Sequence, residues 1–156
     1  MEENLGEQLQ KAFTKIKDEM GFRSTFREID EIFYIEDHVQ QVKFVSSDFS
    51  RQLCHRMLET YLGWSNVLHG WVMPVPHSMF SVTEGQMFDD EQKKEMMKFM
   101  HEILEMKTRN HVVGVAKDKA EEAKLIDELV VYWAKTFKPK LLEYLKIVDE
   151  GWKKPE

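Results

Sequence analysis

A chain of 156 residues is long enough for one domain with its own core. Its 42% hydrophobic and 32% charged residues are ordinary for a globular protein rather than a disordered one. The formal net charge of −6 counts against nucleic-acid binding, which draws most of its affinity from phosphates neutralised by Lys and Arg. No apolar run approaches the roughly 20 residues that cross a bilayer. The acidic start MEENLGEQLQ is unlike a secretory signal, and the single cysteine, Cys54, allows no internal disulfide. The expectation is a cytoplasmic protein that binds neither membrane nor nucleic acid.

In chain order, apolar periodicity predicts a first helix near 3–20, with Gly21 as its stop. A second helix near 25–45 opens on Thr25 and Glu28, which have capping-box spacing. A third runs near 48–72 and is ended by Pro74 and Pro76. The fourth, near 89–109, starts at Asp89 with Gln92. A long helical stretch from about 118 to 150 opens on Asp118 and Glu121 and carries Pro139 as a kink or break. The run His111 to Val115, HVVGV, is β-branched enough for a strand but is short and has no partner. The fold class is therefore all-α, most simply an antiparallel bundle of four or five helices forming a single domain over 1–156. The last helix is expected to be kinked or broken near Pro139. Lys135, Lys138, Lys140 and Lys146 are interleaved with Glu143, Asp149 and Glu150, as on a solvated helix face.

The stretch RQLCHRMLETYLGW, Arg51 to Trp64, raises a metal question, because His55 and Glu59 are four residues apart on one helix. Helix geometry answers it. With Phe49 at zero, Leu53, Met57, Tyr61, Trp64, Leu68 and Trp71 fall between roughly 40° and 120°, whereas His55 and Glu59 fall near 240° and 280°. The pair points away from the apolar face, so it reads as a solvent-face charge pair. Cys54, near 140° on the same count, reads as a small buried hydrophobe. On the fourth helix Met96, Phe99, Met100, Ile103 and Leu104 form a core stripe, with His101, Glu102 and Glu105 flanking or opposing it. Glu31 and His38 share a face beside Ile35 and Val42. Glu31, His38, Glu102 and Glu105 are thus the residues of a metal alternative.

Known metal patterns fit this chain poorly. Di-iron carboxylate bundles use Glu-x-x-His. The residues three before the histidines here are Ile35, Gln52, Asn66, Pro74, Lys98 and Thr108, none of them glutamate. A hemerythrin-like site needs a His-x-x-x-His beside the His-x-x-x-Glu of His55 and Glu59, and there is none. The all-α nucleotide pyrophosphohydrolases pair Glu-x-x-Glu with a later Glu-x-x-Asp. Glu102 and Glu105 supply the first half, but Lys124 stands where the second requires glutamate before Asp127. The chain has no Gly-rich phosphate loop, no Gly-x-Ser-x-Gly and no Cys-x-x-Cys, and no cofactor is expected.

Trp64 to Phe88 stands out differently. Trp64 and Trp71 are two turns apart on one face. The segment 78–88 reads as a loop, yet it carries Met79, Phe80, Met87 and Phe88, side chains that solvent does not favour. Seven of the ten methionines lie between 73 and 106, and methionine suits both adaptable surfaces and irregular cores. The segment either caps the end of its own bundle or forms a partner surface or a lid. The leading expectation is a non-catalytic helical protein acting through a protein partner or its own oligomer, with Trp64, Trp71, Met79, Phe80, Met87 and Phe88 as the interaction surface. The alternative is an enzyme or carrier using the carboxylate and histidine metal residues above.

Overall fold

The computed structural model describes residues 3–154, and among them every regular element is helical. The helices are α1 (Leu5–Met20), α2 (Phe26–Phe33), α3 (Ile35–Val42), α4 (Phe49–Val72), α5 (Met79–Gly85), α6 (Asp90–Ala116), α7 (Lys119–Tyr132) and α8 (Lys138–Lys153). A π-helical turn, Trp133–Phe137, joins α7 to α8. No helix is long and apolar enough to cross a membrane.

The chain divides into two compact units. The first is Met1–Thr60 with Met106–Val131, the second Tyr61–Glu105 with Tyr132–Glu156. Helices α4, α6 and α7 each begin in one unit and end in the other.

In the first unit, α1 starts at Asn4, whose side chain accepts the Glu7 amide, and stops at Gly21 in the left-handed region at φ 75°. Thr25 and Glu28 form the complete capping box that opens α2. Leu9, Phe13 and Ile16 on α1, with Ile29 and Phe33 on α2 and Ile35 and Val39 on α3, are buried. Phe13 lies edge-on to both Phe22 and Phe26, with ring centroids 5.6 and 5.2 Å away. Leu53, Cys54, Met57 and Leu58 on α4 are buried as well, as are Leu125, Ile126 and Leu129 on α7.

The single helix expected over 25–45 is two helices, because the chain turns at Tyr34, which has φ 54°. Left-handed backbone is unusual for so large a residue, and the neighbouring groups explain why it holds. The Asp30 carboxylate accepts the Glu36 amide at 2.9 Å, opening α3, and Arg56 donates to the Phe33 carbonyl at 2.9 Å, closing α2. Both helix ends are satisfied only when the chain bends there.

In the second unit the core is largely aromatic. Tyr61 meets Trp133 and Phe137 with centroids 5.9 Å apart in each case, and Phe99 meets Phe137 at 5.8 Å. Met96 and Ile103 on α6 are buried as expected, Met100 is half-buried, and Leu104 lies 49% exposed. Helix α6 runs past the expected end near 109 to Ala116, taking HVVGV into its last turns. The chain stays helical through Pro139, and the departure from α geometry is the π-helical turn before it, where Lys138 donates to the Trp133 carbonyl. Proline has no N–H and crowds the carbonyl four residues back, so a widened turn ahead of it relieves that crowding. Pro139 itself occupies the first turn of α8, where a missing N–H costs little.

Candidate interaction surface

The segment 78–88, read as a loop, contains α5. Ser78 is its N-cap: the Ser78 hydroxyl oxygen accepts the Ser81 amide at 3.2 Å. The Ser81 hydroxyl in turn accepts the Val75 amide at 3.0 Å, fixing the connection from α4. Gly85 is buried so closely against Pro74 that a Cβ there would collide with the proline ring. Glu84 accepts two indole N–H groups, from Trp71 at 3.1 Å and from Trp152 at 2.7 Å. A helix of seven residues is too short to persist alone, so these contacts hold α5 in place.

On this anchored helix Met79 is 73% and Phe80 67% exposed. Met73 and Val75 on the preceding connection are 65% and 54% exposed, and Trp152 near the end of α8 is 46% exposed. The Phe80 and Trp152 rings meet edge to face at 6.0 Å, which makes the two segments one apolar face.

The six residues of the expected surface divide. Met79 and Phe80 present their side chains to solvent. Trp71 and Phe88 are buried against each other at 5.0 Å, and Phe88 also lies edge-on to Tyr144 at 5.8 Å. Met87 is half-buried and packs on Gly151, where a Cβ would strike its sulfur. Trp64 is half-buried on α4. Trp71 and Phe88 thus belong to the core, and Met79 and Phe80 are the largely exposed members of the six. Trp152 escaped the sequence reading because it is one aromatic in a charged tail, and nothing local marks its contact with a residue 72 positions earlier.

The residues of the metal alternative have other partners or stand in solvent. Glu31 is exposed and pairs with Arg27 at 3.0 Å. Burial, then the charge of Arg56, lowers the His38 pKa and favours its neutral form. Glu102 accepts the Tyr132 hydroxyl at 2.6 Å, while Glu105 is exposed. Among the described residues no three of His, Cys, Asp or Glu come together in a way that could hold a metal ion. His55 and Glu59 pair at 3.0 Å on the solvent side, as the helix geometry requires. Burial pushes the Cys54 thiol well above its usual range, which leaves it a poor nucleophile.

A second constellation was not legible in the sequence. Glu122, 1% exposed, lies between two cations: Arg51 Nη1 at 2.6 Å and Lys119 Nζ at 3.3 Å. Arg51 also donates to the buried Asn110, at 2.9 Å to its side chain and 3.1 Å to its carbonyl. Lys119 reaches Asp48 at 2.9 Å and the buried Ser50 hydroxyl at 2.8 Å. The Lys119 hydrogen bond holds Asp48 below its usual pKa. Gly114 makes room for this arrangement, since a Cβ there would lie 2.7 Å from Arg51 Nη2. Every polar group in the cluster is partnered, and its work is to fix the registers of α4, α6 and α7 in the first unit.

Comparison with protein-family models, curated proteins and solved structures finds no match for this chain.

Proposed function

We propose that the protein is a non-catalytic helical module that works by protein contact, through the face of Met73, Val75, Met79, Phe80 and Trp152. The observation that supports this most is the exposure of Met79 and Phe80 on a helix held rigid from beneath. Large apolar side chains standing singly on a surface need no explanation, but a contiguous apolar face does. Methionine and aromatic residues are also the types that interfaces favour. In this reading 1–156 acts as one domain, its long helices pack as an antiparallel bundle, and the helical run bends near Pro139.

Two experiments test the reading. Purified protein carrying a stoichiometric amount of iron, manganese or zinc after dialysis would favour the metal-dependent alternative instead. Affinity capture from an extract of the source cells should yield defined protein bands, including the chain itself where it self-associates. Those bands should disappear with Met79→Asp plus Phe80→Asp while the urea midpoint stays unchanged. Capture that is indifferent to these substitutions would sink the assignment of this face.

A further inference from the structure

We infer that Met87 is an oxidisable tie between the α5–α6 connection and the end of α8: one oxygen added to its sulfur frees the last turn of α8 and parts Trp152 from Glu84. Met87 is held on both sides. Its amide donates to the Glu84 carbonyl at 3.0 Å, and Phe88 beside it is buried against Trp71 and Tyr144. Its thioether fills the space that a side chain at 151 would need, since a Cβ on Gly151 would collide with both the sulfur and the methyl carbon. The absent Cβ therefore lets the sulfur rest directly on the α8 backbone. One residue on, Trp152 donates its indole N–H to Glu84 at 2.7 Å and meets the Phe80 ring at 6.0 Å.

Placement sets Met87 apart from other methionines of the chain. Met57 and Met96 are sealed in the core, out of reach of a dissolved oxidant. Met73 and Met79 stand mostly in solvent, where a more polar sulfur disturbs no packing. Met87 is half-buried, so an oxidant has access to the side chain while the sulfur still bears on a neighbouring helix. Hydrogen peroxide supplies the oxygen. The sulfur lone pair attacks one peroxide oxygen, an S–O bond forms as the O–O bond breaks, and the sulfur gives up two electrons to the peroxide. The proton on the transferred oxygen passes to the departing hydroxide, which leaves as water. The product, methionine sulfoxide, is polar and chiral where the thioether was flexible and apolar.

Against α8 the new oxygen has no donor, because helical amides such as that of Gly151 are spent on the carbonyl four residues back. A polar oxygen left there without a hydrogen bond is costly, so it turns towards water and takes the thioether off Gly151. The chain at Met87 is fixed by Phe88, whereas the final turn of a helix frays readily. The end of α8 is thus the side that yields, and Trp152 leaves Glu84 and Phe80. Phe80 and Trp152 share the face proposed above, so loss of that face on oxidation rests on the contact reading, whereas the oxidation and its effect on α8 do not.

Peroxide treatment of the full chain, followed in parallel by peptide mass spectrometry and by the Trp152 indole N–H resonance, tests this. The Trp152 signal should move in step with sulfoxide at Met87, and a methionine sulfoxide reductase with its thiol reductant should return it. Met87→Leu, which conserves volume and removes the sulfur, should hold its own Trp152 signal in place while Met73 and Met79 are oxidised. A Met87 that stays reduced after Met73 and Met79 are fully converted overturns the inference, as does a sulfoxide there that leaves the Trp152 signal unmoved. A signal that shifts equally in Met87→Leu overturns it too, by assigning the effect to another methionine.

Discussion

The two units of this chain handle their exceptional residues in opposite ways. The first takes charge inside: Glu122 is buried, and Arg51, Lys119 and Asn110 converge on one site with every polar group partnered. The second leaves apolar groups outside: Met79 and Phe80 stand in solvent, while Trp71 and Phe88 are packed against each other. Buried charge is costly unless paired, and removing one partner costs more than the pair contributes. An exposed apolar face costs little internal stability, because nothing in the folded chain depends on its outermost atoms. The satisfied buried cluster serves the fold, and the exposed apolar groups are what the proposed contact would use.

Substitutions can break that contrast, and the largest effect is expected at Glu122. Glu122→Ala leaves the Arg51 guanidinium facing a buried space with no counter-charge, and should cost about 3 kcal/mol in urea unfolding. The figure is at the lower end of the usual range because Arg51 keeps part of its side chain in water. A loss below about 1 kcal/mol would mean that the cluster is solvated and the contrast with the second unit is unfounded.

Gly114→Ala should come next, at about 1–2 kcal/mol, because the new methyl displaces the Arg51 guanidinium. Its cost should shrink in an Arg51→Ala background, and a double-mutant cycle reads that coupling. Full additivity would show that the glycine and the arginine act independently.

Asp127 offers a pH-dependent test. Burial opposes its ionisation, but bonds from the Ser24 hydroxyl and the Arg23 and Ser24 amides outweigh that opposition and lower its pKa from the usual 3.8. A carboxyl with a lowered folded pKa contributes stability that is complete above its unfolded pKa and is lost as pH falls through the folded one. Asp127→Asn should therefore cost about 1 kcal/mol at neutral pH, and should flatten the loss of stability below about pH 3.8. Denaturation curves at pH 7 and through the acid range check both statements. An acid limb identical to wild type would remove Asp127 from that role.

The two smallest effects lie on the surface. Met79→Asp with Phe80→Asp should shift stability by about 0.5 kcal/mol or less in a monomeric sample, since both side chains are largely exposed. His55→Ala with Glu59→Ala should change it by a few tenths of a kcal/mol, roughly the worth of an exposed i,i+4 pair. Loss of several kcal/mol from either double variant would show that its side chains are covered in the folded protein.

Much of the helical framework was legible because its signals are local. Gly21, the Thr25–Glu28 box and the apolar spacing of α4 are each read within a few residues, and the structure holds each of them. Asp89 and Gln92 go further than their spacing suggested, each accepting the other's amide. The break at Tyr34 was illegible because Arg56, 22 residues later in the chain, supplies a partner that makes it favourable. Helix α5 was missed because seven residues of modest helix propensity are stabilised by Pro74, Trp71 and Trp152 rather than by their own pattern. The candidate site was half legible for the same reason. Met79 and Phe80 drew attention as apolar groups in a presumed loop, while Trp152 and the Arg51–Glu122 pair depend on contacts that bridge 72 and 71 positions.

The shared carboxylate of Glu84 has an optical consequence. One of the two indoles it holds, Trp71, is sealed in the core, and the other, Trp152, is part of the exposed face. Anything that settles on that face strips water from the Trp152 ring while leaving Trp71 in its existing surroundings. The emission of Trp152 should then move to shorter wavelength against the combined emission of Trp64, Trp71 and Trp133. The protein thus carries, without any label, a fluorophore located at the surface whose occupancy is in question.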